Sequence, residues 1–445
     1  MLLSVLLLGR CLVEESGASF VDLECRPSAS LLDCSAGNIH MLLAGPLTII
    51  ASSQASDRPT ISVSDQYHQQ STLVCEPARP GPVRITALAL NQAPPVSGHL
   101  SVACFLSKGE INIFSFKSSD PSSYFKSLVH QPSRNSSTAF NITRAAYYHP
   151  LLVTLTGTLS LSIYDLSSGN VQHTQTLTTF TCYPPASLVL SSPSITLFKV
   201  VITYASPVYP QHWSVGATEI KISRVADKPA TISTGSGAFS SPLFREEFRS
   251  LAASAMMVIS TRTTRAFSVP NGWIDTDALL TMREQWGRKV YNVAAAQTDG
   301  KWVVLAPGCN PDSKFDRSSC SSLSNLTLPH LRSCTGLQLY RLIFPAHSNL
   351  AASGSPPKLT FVRMLHGHTS TVAALTVADG RCISLGENGS IWVWDLEAGS
   401  GTEVAPSDET VTQPAFPSAT GMISFDERRI VTVLSGKIAV RRFDI

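Results

Sequence analysis

Leu365 to Gly399 reads LHGHTSTVAALTVADGRCISLGENGSIWVWDLEAG. It opens on Gly367-His368, passes through two strand patterns, turns at Asn388-Gly389 and closes on Ile391-Trp392-Val393-Trp394-Asp395. Period-two alternation in the last of these runs marks a strand with two different faces. A unit of this size exposes apolar surface on both sides and cannot bury it alone. Neighbouring units of the same plan must therefore exist elsewhere in the chain.

The same plan, an apolar strand, a Gly turn and an alternating strand ending in an aromatic, recurs in eroded form. Ser101 to Leu106 turns at Lys108-Gly109 and returns as Ile111 to Phe114. Leu151 to Leu155 turns near Gly157 and returns as Leu159 to Asp165. Ile430 to Leu434 turns at Ser435-Gly436 and returns as Ile438 to Asp444. Fainter pairings join Leu47–Ala51 with Thr60–Val63, Phe198–Tyr204 with Thr218–Ile222, Met256–Ser260 with Thr264–Val269, and Trp302–Ala306 with Leu337–Leu342. That makes about eight hairpins, spaced roughly 40 to 70 residues apart, with almost no helical periodicity between them. Asp275 to Trp286 is one stretch that reads as a short helix.

The Gly-His to Trp-Asp frame of Leu365–Gly399 resembles a repeat of the WD-repeat family. The resemblance implies an all-β fold, a β-propeller of seven or eight four-stranded blades filling residues 1–445 as one domain. A blade takes roughly 40 to 45 residues, so wider spacings imply insertions, expected near 206–216 and 307–335. The final blade ends after its third strand, and the N-terminal run Leu2 to Leu8 is expected to supply the fourth. Pairing of N- and C-terminal strands would then close the ring and cover an open edge.

The resemblance also carries a hydrogen-bonded tetrad onto His368, Ser384, Asn388 and Trp394, with Gly367 and Asp395 completing the repeat signature. Indole donates to hydroxyl, hydroxyl to imidazole, and imidazole to the turn side chain. Asn388 stands where the family has Asp, so the last link loses its charge assistance but keeps a carbonyl acceptor. Asn-Gly itself suits a tight type I′ turn. His368 and Ser384 could alternatively form a nucleophile–base pair, but that role needs exposure, an orienting acid and an oxyanion site. Scaffolding is the stronger reading.

Composition narrows the function. The 445-residue chain carries a net charge of +3 and no dense Lys/Arg block, so the phosphate-driven term of nucleic-acid binding has no source. Charged residues are 15% of the chain, below the roughly 25% of typical soluble domains. No apolar run approaches the length of about 20 residues that a membrane-spanning helix needs. Met1 to Leu8 lacks the basic start of a signal peptide and reads as a strand. Ten scattered cysteines without close pairing suit reduced thiols, and thus the cytoplasm or nucleus. Cys309, Cys320, His330 and Cys334 contain zinc-ligand types without zinc-site spacing, so neither metal nor cofactor is expected.

Partner recognition falls to the enlarged loops. Ser206 to Gly216 carries Tyr209, His212 and Trp213 among stiffening prolines, and such aromatics make good anchors for a protein partner. No set of converging catalytic residues is visible. The sequence reads as a non-catalytic interaction scaffold, a recognition subunit of a larger complex. Its eroded repeats resemble, more weakly, the propeller part of F-box/WD-repeat ubiquitin-ligase adaptors, although no F-box helical pattern precedes the blades. The alternatives are a propeller enzyme with a central-channel active site, and a scaffold in a trafficking or chromatin complex.

Overall fold

A computed structural model describes residues 39–65, 70–95, 97–131, 141–179, 182–208, 212–225, 255–269, 274–308, 336–345, 356–406, 421–434 and 437–442. Seven antiparallel sheets follow one another along the chain, each built from consecutive strands. The first contains β1 (Ile39–Ala44), β2 (Leu47–Ser52), β3 (Thr60–Ser64) and β4 (Gln70–Val74). The second contains β5 (Ile85–Leu90), β6 (His99–Leu106), β7 (Ile111–Lys117) and β8 (Asp120–His130). The third contains β9 (Ile142–Tyr148), β10 (Leu151–Thr156), β11 (Leu161–Asp165) and β12 (Gln172–Leu177).

The fourth is longer-stranded, with β13 (Tyr183–Ser194), β14 (Leu197–Val208), β15 (His212–Val225) and β16 (Ala255–Arg265). Helix α1 (Thr276–Gly287) precedes the fifth, β17 (Asn292–Thr298), β18 (Trp302–Gly308), β19 (Leu337–Ile343) and β20 (Lys358–Leu365). The sixth holds the clear repeat as β21 (Val372–Ala378), β22 (Arg381–Gly386), β23 (Ile391–Asp395) and β24 (Ser400–Ala405). The seventh has three strands among the described residues, β25 (Met422–Phe425), β26 (Arg429–Leu434) and β27 (Lys437–Arg442).

The first strand of each sheet touches the first strands of the sheets before and after it, and β25 returns to β1. That closed circuit makes a seven-bladed ring around a central axis. The core is divided accordingly. Each of seven apolar clusters lies across one junction between neighbouring blades, from the first-to-second junction around Leu47, Cys75, Cys104 and Phe116 to the seventh-to-first junction of Ile39, Met41, Val431 and Val433.

Period-two geometry explains how one strand serves two junctions. Along β18, Val303 and Leu305 pack toward the fourth blade, while Trp302, Val304 and Ala306 pack toward the sixth. A strand covered on both faces reads as a continuous apolar run, so the second strand of each blade was the most legible element.

The count of seven resolves the sequence expectation of seven or eight. Seven of the expected hairpins are the second and third strands of the seven blades. The eighth, Met256–Ser260 with Thr264–Val269, is a single strand, β16, paired with β15 from Gly216↔Arg265 to Val225↔Ala255. Its would-be turn, Thr261-Arg262-Thr263, contains no Gly, Asn or Pro, and the two Thr are β-branched residues that favour the extended chain. The expected strand Leu2–Leu8 lies outside the described residues. What closes the ring among the described residues is the seventh-to-first cluster together with Arg429, whose guanidinium reaches the β1–β2 turn.

Candidate functional site

In the sixth blade, Trp394 Nε1 donates to Ser384 Oγ at 2.8 Å, and Ser384 Oγ lies 2.6 Å from His368 Nε2. His368 Nδ1 lies 3.2 Å from Ser390 Oγ, and Ser390 Oγ donates to Asn388 Oδ1 at 2.8 Å. One neutral tautomer satisfies the whole chain, with the imidazole accepting from Ser384 and donating to Ser390. The structure thus brings His368, Ser384 and Trp394 together directly, while Ser390 is interposed between His368 and Asn388. Asn388 Oδ1 also accepts from Ser370 Oγ at 2.7 Å.

Two glycines make room for this cluster. A Cβ at Gly386 would come within 2.5 Å of Asn388 Oδ1, and one at Gly367 within 2.8 Å of the Trp392 ring. Asn388-Gly389 does not form the type I′ turn that its sequence suggests. Only Gly389 has positive φ, at 83°. Gly389 N donates to Gly386 O at 3.0 Å and Gly386 N to Ser390 O at 2.8 Å. This is a type I turn followed by a left-handed glycine. The extra loop residue brings Asn388 and Ser390 onto one acceptor site.

The His368–Ser384 pair has the distance of a nucleophile and its base but not the surroundings. Ser384 is wholly buried and His368 is 5% exposed. Burial pulls the His368 pKa down to about 4, making it a poor base at neutral pH. Its second nitrogen meets a hydroxyl rather than an orienting carboxylate. The arrangement locks the turn between β22 and β23 to the segment before β21.

Because the strands of each blade alternate in direction, the turn joining second to third strand and the start of the first strand share one face of the ring. Of the segment Ser206–Gly216, the described residues 206–208 and 212–216 lie there, as strand rather than loop. Ser206↔Ser214, Pro207↔Trp213 and Val208↔His212 are paired, carrying the β14–β15 ladder out to Val208. Tyr209 lies outside the described residues, as do residues 309–335 with Cys309, Cys320, His330 and Cys334.

Trp213 is half-buried. Its N–H donates to Val290 O at 2.7 Å, and its ring meets Tyr183 edge-on at 5.3 Å. His212 faces Tyr291 at 4.7 Å and Trp286 of α1 at 5.9 Å, and Lys289 lies over the Trp286 ring at 4.5 Å. Helix α1 is capped by Asp275, which accepts from Ala278 N, and buries no residue fully. Ala278, Met282, Gln285 and Trp286 are half-buried, whereas Leu279 and Leu280 stand 58% exposed. Tyr183 and Tyr291 are 42% and 51% exposed. The result is an aromatic and aliphatic ledge over the fourth and fifth blades. The sequence marked His212 and Trp213. It gave no sign that Tyr183, Trp286 and Tyr291 would join them, because those contacts cross between blades.

Ring closure through seven blades defines a seven-bladed β-propeller. Residues 57–238 match a family model described as the F-box protein pof12 beta-propeller. No curated protein matches the chain. Among solved structures, the computationally designed Ika8 protein is similar at 11% identity and a TM-score of 0.43, covering 93% of this chain and 98% of that chain. A chain of the Mitotic Checkpoint Complex is similar at 10% identity and a TM-score of 0.44, covering 96% of this chain and 93% of that chain. Among the described residues no helix is long and apolar enough to cross a membrane.

Proposed function

We propose that this propeller is a non-catalytic recognition subunit that holds a protein partner on the face bearing the blade-four hairpin and α1. The observation that carries this reading is the ledge of Tyr183, His212, Trp213 and Tyr291 beside the exposed Leu279 and Leu280. Large aromatics held by a rigid scaffold bury much surface at small entropic cost, which is what partner anchors require. Tyr209, which lies outside the described residues, is included in the proposed contact on its sequence alone.

The likeness of residues 57–238 to an F-box protein propeller favours a substrate-recognition role in a ubiquitin ligase. The chain would then supply the surface that selects the protein to be modified. Affinity capture from cells followed by mass spectrometry tests both levels. Recovery of cullin-adaptor subunits supports the ligase role, whereas coat or histone-associated subunits would replace it. Substituting Leu279 and Leu280 by Asp, or Tyr183 and His212 by Ala, should abolish recovery of the partner while leaving the folded ring intact. Unchanged recovery by both variants would remove this face from the proposal. Turnover of a substrate by the purified chain would overturn the non-catalytic reading.

A further inference from the structure

The seven innermost strands, β1, β5, β9, β13, β17, β21 and β25, contain no carboxylate and a single fixed charge, Arg144. Arg144 is the third residue of β9 and pairs with Leu155, beside the turn at Gly157. It therefore sits at the mouth of the central channel, on the face that carries the ledge. Its Nε donates to the Ala186 carbonyl of the next blade at 3.3 Å and its Nη1 to the Thr143 carbonyl at 3.4 Å. Among the described residues no Asp or Glu forms an ion pair with it.

Two features show that this charge is uncompensated. The surrounding protein lowers the guanidinium pKa by desolvation alone, with no acidic neighbour opposing it. The same positive charge is felt at His40 on β1, where it adds to burial in keeping that imidazole neutral. A guanidinium has five N–H donors in a planar fork, and two of them are occupied here by backbone carbonyls. Arg144 is exposed, so its remaining N–H donors face solvent and are open to an arriving anion.

Ala186 connects Arg144 to the ledge. It lies three residues after Tyr183 on β13, and Tyr183 packs on Trp213. We infer that Arg144 binds the carboxylate of an acidic peptide segment whose adjoining apolar side chains rest on Tyr183 and Trp213. This inference rests on the recognition face proposed above and specifies what that face selects. One planar guanidinium matches one planar carboxylate bidentately. A phosphoryl group carries nearly twice the charge, and no second cation stands on the inner strands to meet it. A nucleic acid needs many such contacts.

The test uses the full chain on an array of immobilised 12-residue random peptides, half of them carrying a phosphoserine. Bound peptides should be enriched in Asp or Glu next to Leu or Phe, without any requirement for phosphate. In solution, fluorescence anisotropy with the best labelled peptide should show Arg144→Gln weakening binding by about tenfold or more. Replacing the peptide's acidic residue by its amide should weaken binding equally, and combining both changes should add little.

Arg144→Gln should melt close to the wild type, because Arg144 is exposed and has no ion-pair partner among the described residues. A strictly structural Arg would lower the melting temperature instead. Should that variant fail to fold, Arg144→Lys and the peptide amide carry the same comparison. An array without acidic enrichment, binding that depends on phosphoserine, or equal affinity of Arg144→Gln would each overturn the inference. Loss of cellular partner capture on α1 substitution with normal capture by Arg144→Gln would leave the platform standing and remove the carboxylate anchor alone.

Discussion

The Arg429 guanidinium donates through Nη2 to the Leu47 carbonyl at 2.8 Å, joining positions 382 residues apart. The same group also donates to the Gly45 carbonyl at 2.7 Å, to the Pro46 carbonyl at 3.1 Å and to Thr48 Oγ1 at 3.0 Å, with Asp426 2.8 Å from its Nε. Every donor direction of the planar fork is thus engaged across the junction where the last blade meets the first.

Among the described residues that junction has the smallest apolar cluster of the seven, so Arg429 has an outsized share in holding it. Arg429→Leu would strand buried carbonyls and the Asp426 carboxylate, an expected loss of about 3–5 kcal/mol. Arg429→Lys keeps the charge but not the fork and should recover little. Urea unfolding of the two variants checks this, and a loss under 1 kcal/mol for Arg429→Leu would mean the seam is held elsewhere.

Ser384 and Ser390 occupy alternate links of the sixth-blade chain but do not matter equally. Ser384→Ala leaves both Trp394 Nε1–H and His368 Nε2 unpaired in the interior. Ser390→Ala leaves only His368 Nδ1–H unpaired, because Asn388 Oδ1 still accepts from Ser370. Expected losses are about 2–4 kcal/mol for the first and about 1–2 kcal/mol for the second. Denaturant midpoints of the two variants measure the order, and the reverse order would refute this description of the network.

His368 and His40 give the fold a defined weakness in acid. Burial lowers each pKa from 6.5 to about 4, and His40 has its Nε2 within 3.2 Å of the Ile85 carbonyl and 2.8 Å of Ser53 Oγ. Between those values the unfolded chain binds protons that the folded chain does not. Stability is therefore full above about pH 6.5, falls as the pH drops, and loses this dependence below about pH 4. The limit is about 3 kcal/mol for each histidine. His40→Asn should remove its own share of the slope between pH 6.5 and 4, leaving that of His368 and the smaller shares of the burial-lowered His130 and His149. A slope unchanged by that substitution would contradict neutral burial of His40.

Legibility in the sequence followed burial. Second strands such as Trp302–Ala306 and Leu151–Leu155 are covered on both faces, so their apolar runs alone identify the blades. β16 reads as two short strands because its apolar start gives way at Thr261-Arg262-Thr263, and only its pairing with β15 shows that the strand continues. In the sixth blade, the Trp, Ser and His positions follow from the resemblance to a WD repeat. Ser390 escaped notice because its role depends on which turn Asn388-Gly389 adopts. Arg144 was not readable at all, since nothing in ITRAAYY says that this strand is innermost or that its neighbours are neutral.

Glu219 offers a test of how charge is managed within the fourth blade. It is 2% exposed on β15, ion-paired to Arg262 of β16 and lying 3.2 Å from Lys199 of β14. Arg262 also donates to the Pro345 carbonyl and lies over the Phe344 ring at 5.4 Å, tying the fourth blade to the fifth. Glu219→Leu leaves the partly buried Arg262 without its anion, at an expected cost of about 2–4 kcal/mol, whereas Lys199 is exposed enough to turn to water. Adding Arg262→Leu removes the orphaned charge and should restore most of that loss. Thermal melts of the single and double variants decide the matter. A double variant no more stable than Glu219→Leu would place the value of Arg262 in its contacts with the fifth blade rather than in the ion pair.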